Sequence, residues 1–226
     1  INLRDFLDAA RRLQKAELHF PFVDQEIVEP LAVTGAIMSW EKQTHNLLLV
    51  IDIGAGTTDF GLFLVRYNSN TGASIVESIE NGYEIISKAG NFIDRILMER
   101  VLSEAGLGPS HPMAQGQRRA FELDVRSYKE TLFSDKSVPI SLLTGDVVTI
   151  DIASFMAMKQ IEDFATEFEN KVIDLLEKVD ESHLKGAPRG ELAVKITGGG
   201  ATLPCAQRLF DRKKITIGQA TLELKK

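Results

Sequence analysis

The chain is predicted to be an α/β fold, and three observations carry that prediction. Three strand-like runs follow one another directly, then helical patterns take over, and a further strand and helix close the pattern. Residues 47–53 form a nearly continuous apolar run, as expected of a strand buried on both faces. That run and the later strand pattern 192–196 both end in glycine-rich turns, Gly54-Ala55-Gly56 and Gly198-Gly199-Gly200.

Leu3, Phe6, Leu7, Ala10 and Leu13 recur at helical spacing, with Arg4, Asp8, Arg11, Arg12 and Lys15 on the other face. A short strand over 19–24 follows. Glu29-Pro30 opens a second helix whose buried face is Val33, Ala36, Ile37 and Trp40, with Pro at an allowed first-turn position. After the strand at 47–53, residues 60–67 read as a second strand, 68–72 as a turn and 73–79 as a third strand. The glycines at 54 and 56 thus join strand to strand. A helix over 92–105, a loop over 109–117 and a polar helix over 118–133 come next. Thr144-Gly145-Asp146 turns a hairpin between strands at 138–143 and 147–152. One long helix is expected after Ala153, with Ile161, Phe164, Phe168, Val172, Leu175 and Leu176 on one face. The strand at 192–196, the turn at 197–201 and a helix opened by Pro204 complete the pattern. Residues 118–152 read as a small insertion, and there are no repeats or low-complexity tracts.

Composition narrows the function classes. The chain has 226 residues, 44% hydrophobic and 26% charged, an ordinary globular balance. A net charge of -6 argues against nonspecific nucleic-acid binding, which needs a basic footprint. The single cysteine, Cys205, precludes an internal disulfide framework and is expected to pack beneath its helix. The apolar run at 47–51 is too short to span a bilayer, and the first residues lack a signal peptide's apolar core, so no membrane association and a cytoplasmic location are expected. His19, His45, His111 and His183 are too dispersed for a metal-ligand spacing. The chain begins without Met inside a helical pattern, and is expected to be a piece of something longer.

Two constellations carry chemistry. In Asp52-x-Gly-x-Gly-Thr-x-Asp59 a glycine turn lets backbone N–H groups approach an anion without Cβ obstruction. Carboxylates beside a phosphate nest imply an intervening cation, Mg²⁺ held largely through water. The plainer alternative is a tight turn capped by Asp52 and Asp59. A dinucleotide fingerprint is excluded, since it needs a helix after the glycines and a third glycine where Asp59 stands. Gly198-Gly199-Gly200 would let a flat group lie against backbone beside a helix N-terminus. Its alternative is a crowded strand-to-helix turn that only glycine can make.

Residues 50–60, Val-Ile-Asp-Ile-Gly-Ala-Gly-Thr-Thr-Asp-Phe, resemble the second phosphate motif of the actin-like ATPase superfamily, and 194–204, Val-Lys-Ile-Thr-Gly-Gly-Gly-Ala-Thr-Leu-Pro, resemble its adenosine motif. In family order come Glu29-Pro30-Leu31-Ala32, similar to the Glu-Pro-Thr-Ala step of DnaK-type (heat shock protein 70) chaperones, then Gly90 to Asp94, similar to their glycine-rich helix entry, and Tyr128-Lys129-Glu130-Thr131-Leu132, similar to their lysine-bearing helix. Ala55 replaces a usual glycine, Arg126 stands where the resemblance puts a ribose-contacting Glu, and Thr202 where it puts an adenine-stacking Arg.

The resemblance implies an actin-like ATPase (ribonuclease H-like) lobe, a mixed sheet flanked by helices with a small inserted α+β subdomain. Residues 1–45 would be the end of a first lobe and crossover helices, 46–117 and 153–226 the second-lobe core, and 118–152 the insertion. It further implies ATP or ADP with Mg²⁺ as cofactors. Asp52 and Asp59 would hold the hydrated metal and orient the attacking water, and Glu29 would bind that water or the metal shell. Gly54, Gly56 and Thr57 would contact phosphates, while Lys129, Gly198 and Gly199 would bound the adenosine pocket. The implied function is a nucleotide-driven conformational switch of the chaperone type, with client peptides or co-chaperones as partners. An actin-like filament or scaffold protein and a small-molecule kinase are the alternatives on the same fold. The first phosphate loop and its catalytic lysine would belong to an N-terminal partner lobe, so ATP hydrolysis is expected of the complete protein and not of these residues alone.

Overall fold

The structure is a computed structural model that describes residues 45–68 and 73–226. The helices and strand expected within 1–44, Glu29, and the turn at 69–72 lie outside the described residues, as does the side chain of Cys205.

A six-stranded mixed sheet organises the described residues. β1 (His45–Ile53), β2 (Thr58–Asn68) and β3 (Ala73–Ile86) form an antiparallel meander, with Asp52 opposite Asp59 and Leu49 opposite Leu62. β6 (Glu191–Thr197) lies parallel to β1 on its other side. β8 (Ala220–Lys225) runs parallel to β6, and β7 (Lys214–Ile217) pairs antiparallel with β8 at the far edge. The order is therefore β3-β2-β1-β6-β8-β7. The remaining strands, β4 (Ser137–Ser141) and β5 (Val147–Asp151), make a separate two-stranded hairpin.

The apolar run of β1 is buried on both faces, as its continuity predicts. Leu47, Leu49, Ile51 and Ile53 join the main core, while Leu48 and Val50 pack with Phe63 on the opposite face. The main core also takes the inward stripes of α1 (Gly90–Glu104) and α4 (Lys159–Lys178). On α4 these are Ile161, Phe164, Phe168, Val172, Leu175 and Leu176, the face expected from helical spacing. The segment expected as an insertion contributes Phe121, Leu132, Val138, Ile140 and Ile150 to this same core.

Four boundaries differ from expectation. α2 (Ala114–Asp135) takes in residues expected to be loop. The helix expected to run unbroken after Ala153 is two helices, α3 (Ile152–Met156) and α4, with Met158 extended between them. Phe155 and Ile161 are both buried, yet six residues apart on one helix they would point about 120° away from each other. The break lets both face the core, and Asp151 caps α3 by accepting from the N–H groups of Ala153 and Ser154. β3 continues past its expected end at 79 to Ile86, through a bulge opposite Gly61 to Phe63. Past α6 (Pro204–Asp211), whose start at Pro204 matches the expectation, the β7–β8 hairpin adds two strands not anticipated. A short α5 (Glu181–Lys185) leads towards β6, its N-terminus capped by Asp180.

α6 is anchored from beneath by a buried carboxylate. Glu169 of α4 receives a hydrogen bond from Arg212 Nε at 2.7 Å, and Arg208 Nε lies 2.7 Å from its other oxygen without hydrogen-bond alignment.

Candidate functional site

The carboxyl ends of β1 and β6 lie side by side, Asp52 pairing with Thr197, so the two glycine turns are neighbours. They are joined directly: Gly200 N–H donates to Ile53 O at 2.9 Å. Strand ends of this kind in α/β sheets are where ligands bind.

The first turn is closed by Gly54 N–H donating to Thr57 O at 3.0 Å, leaving residues 55–57 exposed. Its outer carbonyls are stapled to the start of α1, where Gly90 N–H donates to Gly54 O at 3.2 Å and Asn91 N–H to Ala55 O at 2.8 Å. Thr58, fully buried, donates its hydroxyl to Lys88 O at 2.8 Å and fixes the strand below the turn. The glycine loop and the glycine-led helix entry thus form one hydrogen-bonded unit.

Beside this unit lies a cavity of about 670 Å³. Its floor is Gly54, Ala55, Gly90 and Asn91, and one wall is the turn at Gly199 and Gly200 with Thr202 and Leu203. The other wall is a single stripe of α2, where Arg126, Lys129, Glu130 and Phe133 recur at helical spacing. Lys129 Nζ lies 2.7 Å from Asp94 Oδ1 and 3.4 Å from Gly90 O, with side chains only 17% and 20% exposed. This ion pair ties α2 to α1 across the cavity.

The expected site residues fall into two groups. Gly54, Lys129 and Gly199 line the cavity together. Asp52, Asp59, Gly56 and Thr57 gather around the first turn and do not line the cavity. Asp52 is 7% exposed and opposes Asp59 directly in the ladder, so both carboxylates project from the same sheet face. Asp59 accepts a hydrogen bond from Thr57 Oγ1 at 3.0 Å. Gly198 sits against Asp52, on the strand side of the second turn. Among the described residues no group of three or more His, Cys, Asp or Glu side chains could hold a metal ion by itself.

The glycines separate the alternatives left open by the sequence. Gly198 has φ of 82°, and a Cβ there would lie 2.4 Å from Ile53 O. At Gly200 a Cβ would lie 2.3 Å from Ile53 Cγ2. Both are required by the crowded turn itself. Gly56 and Gly199 are different: a Cβ at either meets nothing within 4 Å.

Sequence reasoning left Asp94, Asn91 and Phe133 out of the candidate set. Asp94 was legible, because it lies one helical turn beyond Gly90 and must share its face. Phe133 was not, since it reads as ordinary core until the stripe from Arg126 is seen to face a cavity.

No family model matches this chain, and no curated protein matches it.

Proposed function

We propose that this chain is the second lobe of an actin-like, heat shock protein 70-like ATPase, in which bound nucleotide drives a conformational switch. The observation that carries this reading is convergence. Four segments far apart in sequence, 54–55, 90–94, 126–134 and 199–203, line one cavity, and each overlaps a motif that carries the resemblance, with Gly54, Lys129 and Gly199 the residues it marks for nucleotide contact. The mixed sheet, with both glycine turns at adjacent parallel strand ends, supports the same reading.

In this proposal the cavity takes the nucleoside end of ATP or ADP, with the Lys129 ammonium held beside it by Asp94. The exposed turn at 55–57 receives the phosphates. Empty space at Gly56 and Gly199 fits a ligand that approaches the backbone closely, because no protein atom demands glycine there. Asp52 and Asp59 would hold hydrated Mg²⁺. Two carboxylates facing the same side suit a cation that keeps most of its water, so a larger ligand cluster is unnecessary. The ion would neutralise charge building on the phosphates during transfer. Buried Asp52 would orient the attacking water from its fixed place at the strand end, while Thr57, donating to Asp59, holds that carboxylate towards the turn. A partner lobe would close over the exposed side, which is how nucleotide would be coupled to movement. Client peptides or co-chaperones would read that movement, in the cytoplasm. Among the described residues no helix is long and apolar enough to cross a membrane.

Gly199→Val is the sharpest test. Open space surrounds the position, so the variant should keep its fold while its side chain occupies the cavity. Titration with Mg-ATP, followed by calorimetry, should show affinity falling by tenfold or more. Unchanged affinity in a folded variant would refute the site. In the complete protein, Asp52→Asn keeps size and hydrogen bonding and should strongly reduce ATP hydrolysis; wild-type turnover would remove Asp52 from the metal shell.

A further inference from the structure

We infer that the base end of the cavity is an aromatic platform that does not discriminate between purines, with Phe133 as its determining residue. The inference rests on the nucleotide reading above and goes beyond it by assigning base selectivity. Phe133 and Leu203 form the cavity's apolar end and separate it from a small void lined by Phe155 and Phe164 in the core. The Phe133 ring is therefore backed by the core while still facing the cavity.

The polar groups nearest that end are not arranged to read a base edge. Ser134 Oγ is engaged with Asp135 Oδ1 at 2.7 Å and Thr131 O at 3.2 Å, both on its own helix. Arg126 Nε donates to Glu130 Oε1 at 2.8 Å in a solvent-exposed pair, 86% and 64% accessible, so neither side chain is held in place to read a base edge. Gly200 N–H is committed to Ile53 O. Thr202 offers a hydroxyl, which can donate to a ring carbonyl or accept from an exocyclic amine by rotating. A hydroxyl that satisfies both leaves no buried polar group unpaired with either purine, and it is such unpaired groups that generate strong discrimination. Stacking on Phe133 adds affinity without identity, because every base presents a π-face.

The test measures binding of Mg-ADP and Mg-GDP to this chain by ligand-induced NMR shifts up to millimolar nucleotide, in the wild type, Phe133→Leu and Phe133→Trp. Phe133→Leu keeps apolar bulk, and the NMR spectrum reports whether each variant is folded. The two nucleotides should bind within about threefold of each other, since a hydroxyl serves either edge. Phe133→Leu should weaken both together by about fivefold or more, the low end of one lost stacking contact. Phe133→Trp should retain both. Preference for ADP over GDP by tenfold or more, or Phe133→Leu binding like wild type, would overturn the inference and leave the nucleotide site standing. Failure of both nucleotides to bind at all would overturn the site together with the inference.

Discussion

The two glycine turns sit side by side at the ends of parallel strands, yet they need glycine for opposite reasons. At Gly198 and Gly200 the protein itself fills the space where a side chain would go. At Gly56 and Gly199 nothing fills it. A glycine demanded by packing says little about ligands, whereas open space around Gly199, which lines the cavity, leaves room for a ligand to reach the backbone. The second turn contains both kinds in consecutive residues, so Gly198 and Gly200 build the turn and Gly199 is left to face the cavity.

Substitutions can break this contrast, and the largest effect is expected at Gly198. Gly198→Ala adds left-handed backbone strain of about 1–2 kcal/mol to an overpacking cost of about 1–3 kcal/mol. A loss of about 3 kcal/mol is expected in urea denaturation, and a loss below about 1 kcal/mol would mean that the turn is not crowded.

Next in size is Lys129→Met. It strands the Asp94 carboxylate in a mostly buried position, and a loss of about 1–3 kcal/mol is expected, between the ranges for exposed and fully buried pairs. Asp94→Asn in the Lys129→Met background should recover part of that loss, which a double-mutant cycle would measure.

Glu84 on β3 gives a smaller, pH-dependent effect. Hydrogen bonds from Lys178 and then Lys171 hold its carboxyl below the ordinary 4.5, against an opposing contribution from burial. Because the folded value is depressed, its stabilisation is fully present above about pH 4.5 and is lost as pH falls through the folded value. Glu84→Gln should therefore cost about 1 kcal/mol at pH 7, and the gap from wild type should narrow as pH falls below 4.5 and close once the carboxyl is protonated in the folded state. A gap that stays constant with pH would show that packing, not charge, is what the substitution removes.

The smallest expected change is Gly56→Ala, within about 0.5 kcal/mol of wild type in thermal unfolding. Destabilisation of 1 kcal/mol or more would return Gly56 to the structurally required class and weaken the contrast directly.

Much of this architecture was legible because burial leaves periodic marks. The run at 47–53 read as a strand covered on both sides, and the stripe from Ile161 to Leu176 named the inward face of α4. What escaped notice depended on tertiary context. The break between α3 and α4 has no Pro or Gly to announce it; it follows from Phe155 and Ile161 both needing the core. The β7–β8 hairpin did leave a signal, alternation at Ile215 and Ile217, then at Leu222 and Leu224, around Gly218. Those strands are short and interspersed with lysines and glutamates, which dilutes the pattern. At the site, glycines and carboxylates were visible as chemistry, whereas Phe133 became informative only when α2 was seen to form a cavity wall.

The bulge in β3 has a bearing on solubility. Among the described residues β3 is an edge strand, and it carries exposed Ile75, Tyr83 and Ile85, 50%, 39% and 54% accessible. A long, flat edge of that composition would template pairing with another chain. The bulge interrupts it, with Asn81 at φ of 58° and Gly82 so close to Ile79 O and Leu62 O that no side chain fits. Ladder pairing is thereby split into two short stretches, and neither offers a second molecule a continuous row of backbone donors and acceptors. The irregularity that hid the true length of β3 from sequence reading is also of the kind that blunts a strand edge against pairing with another chain.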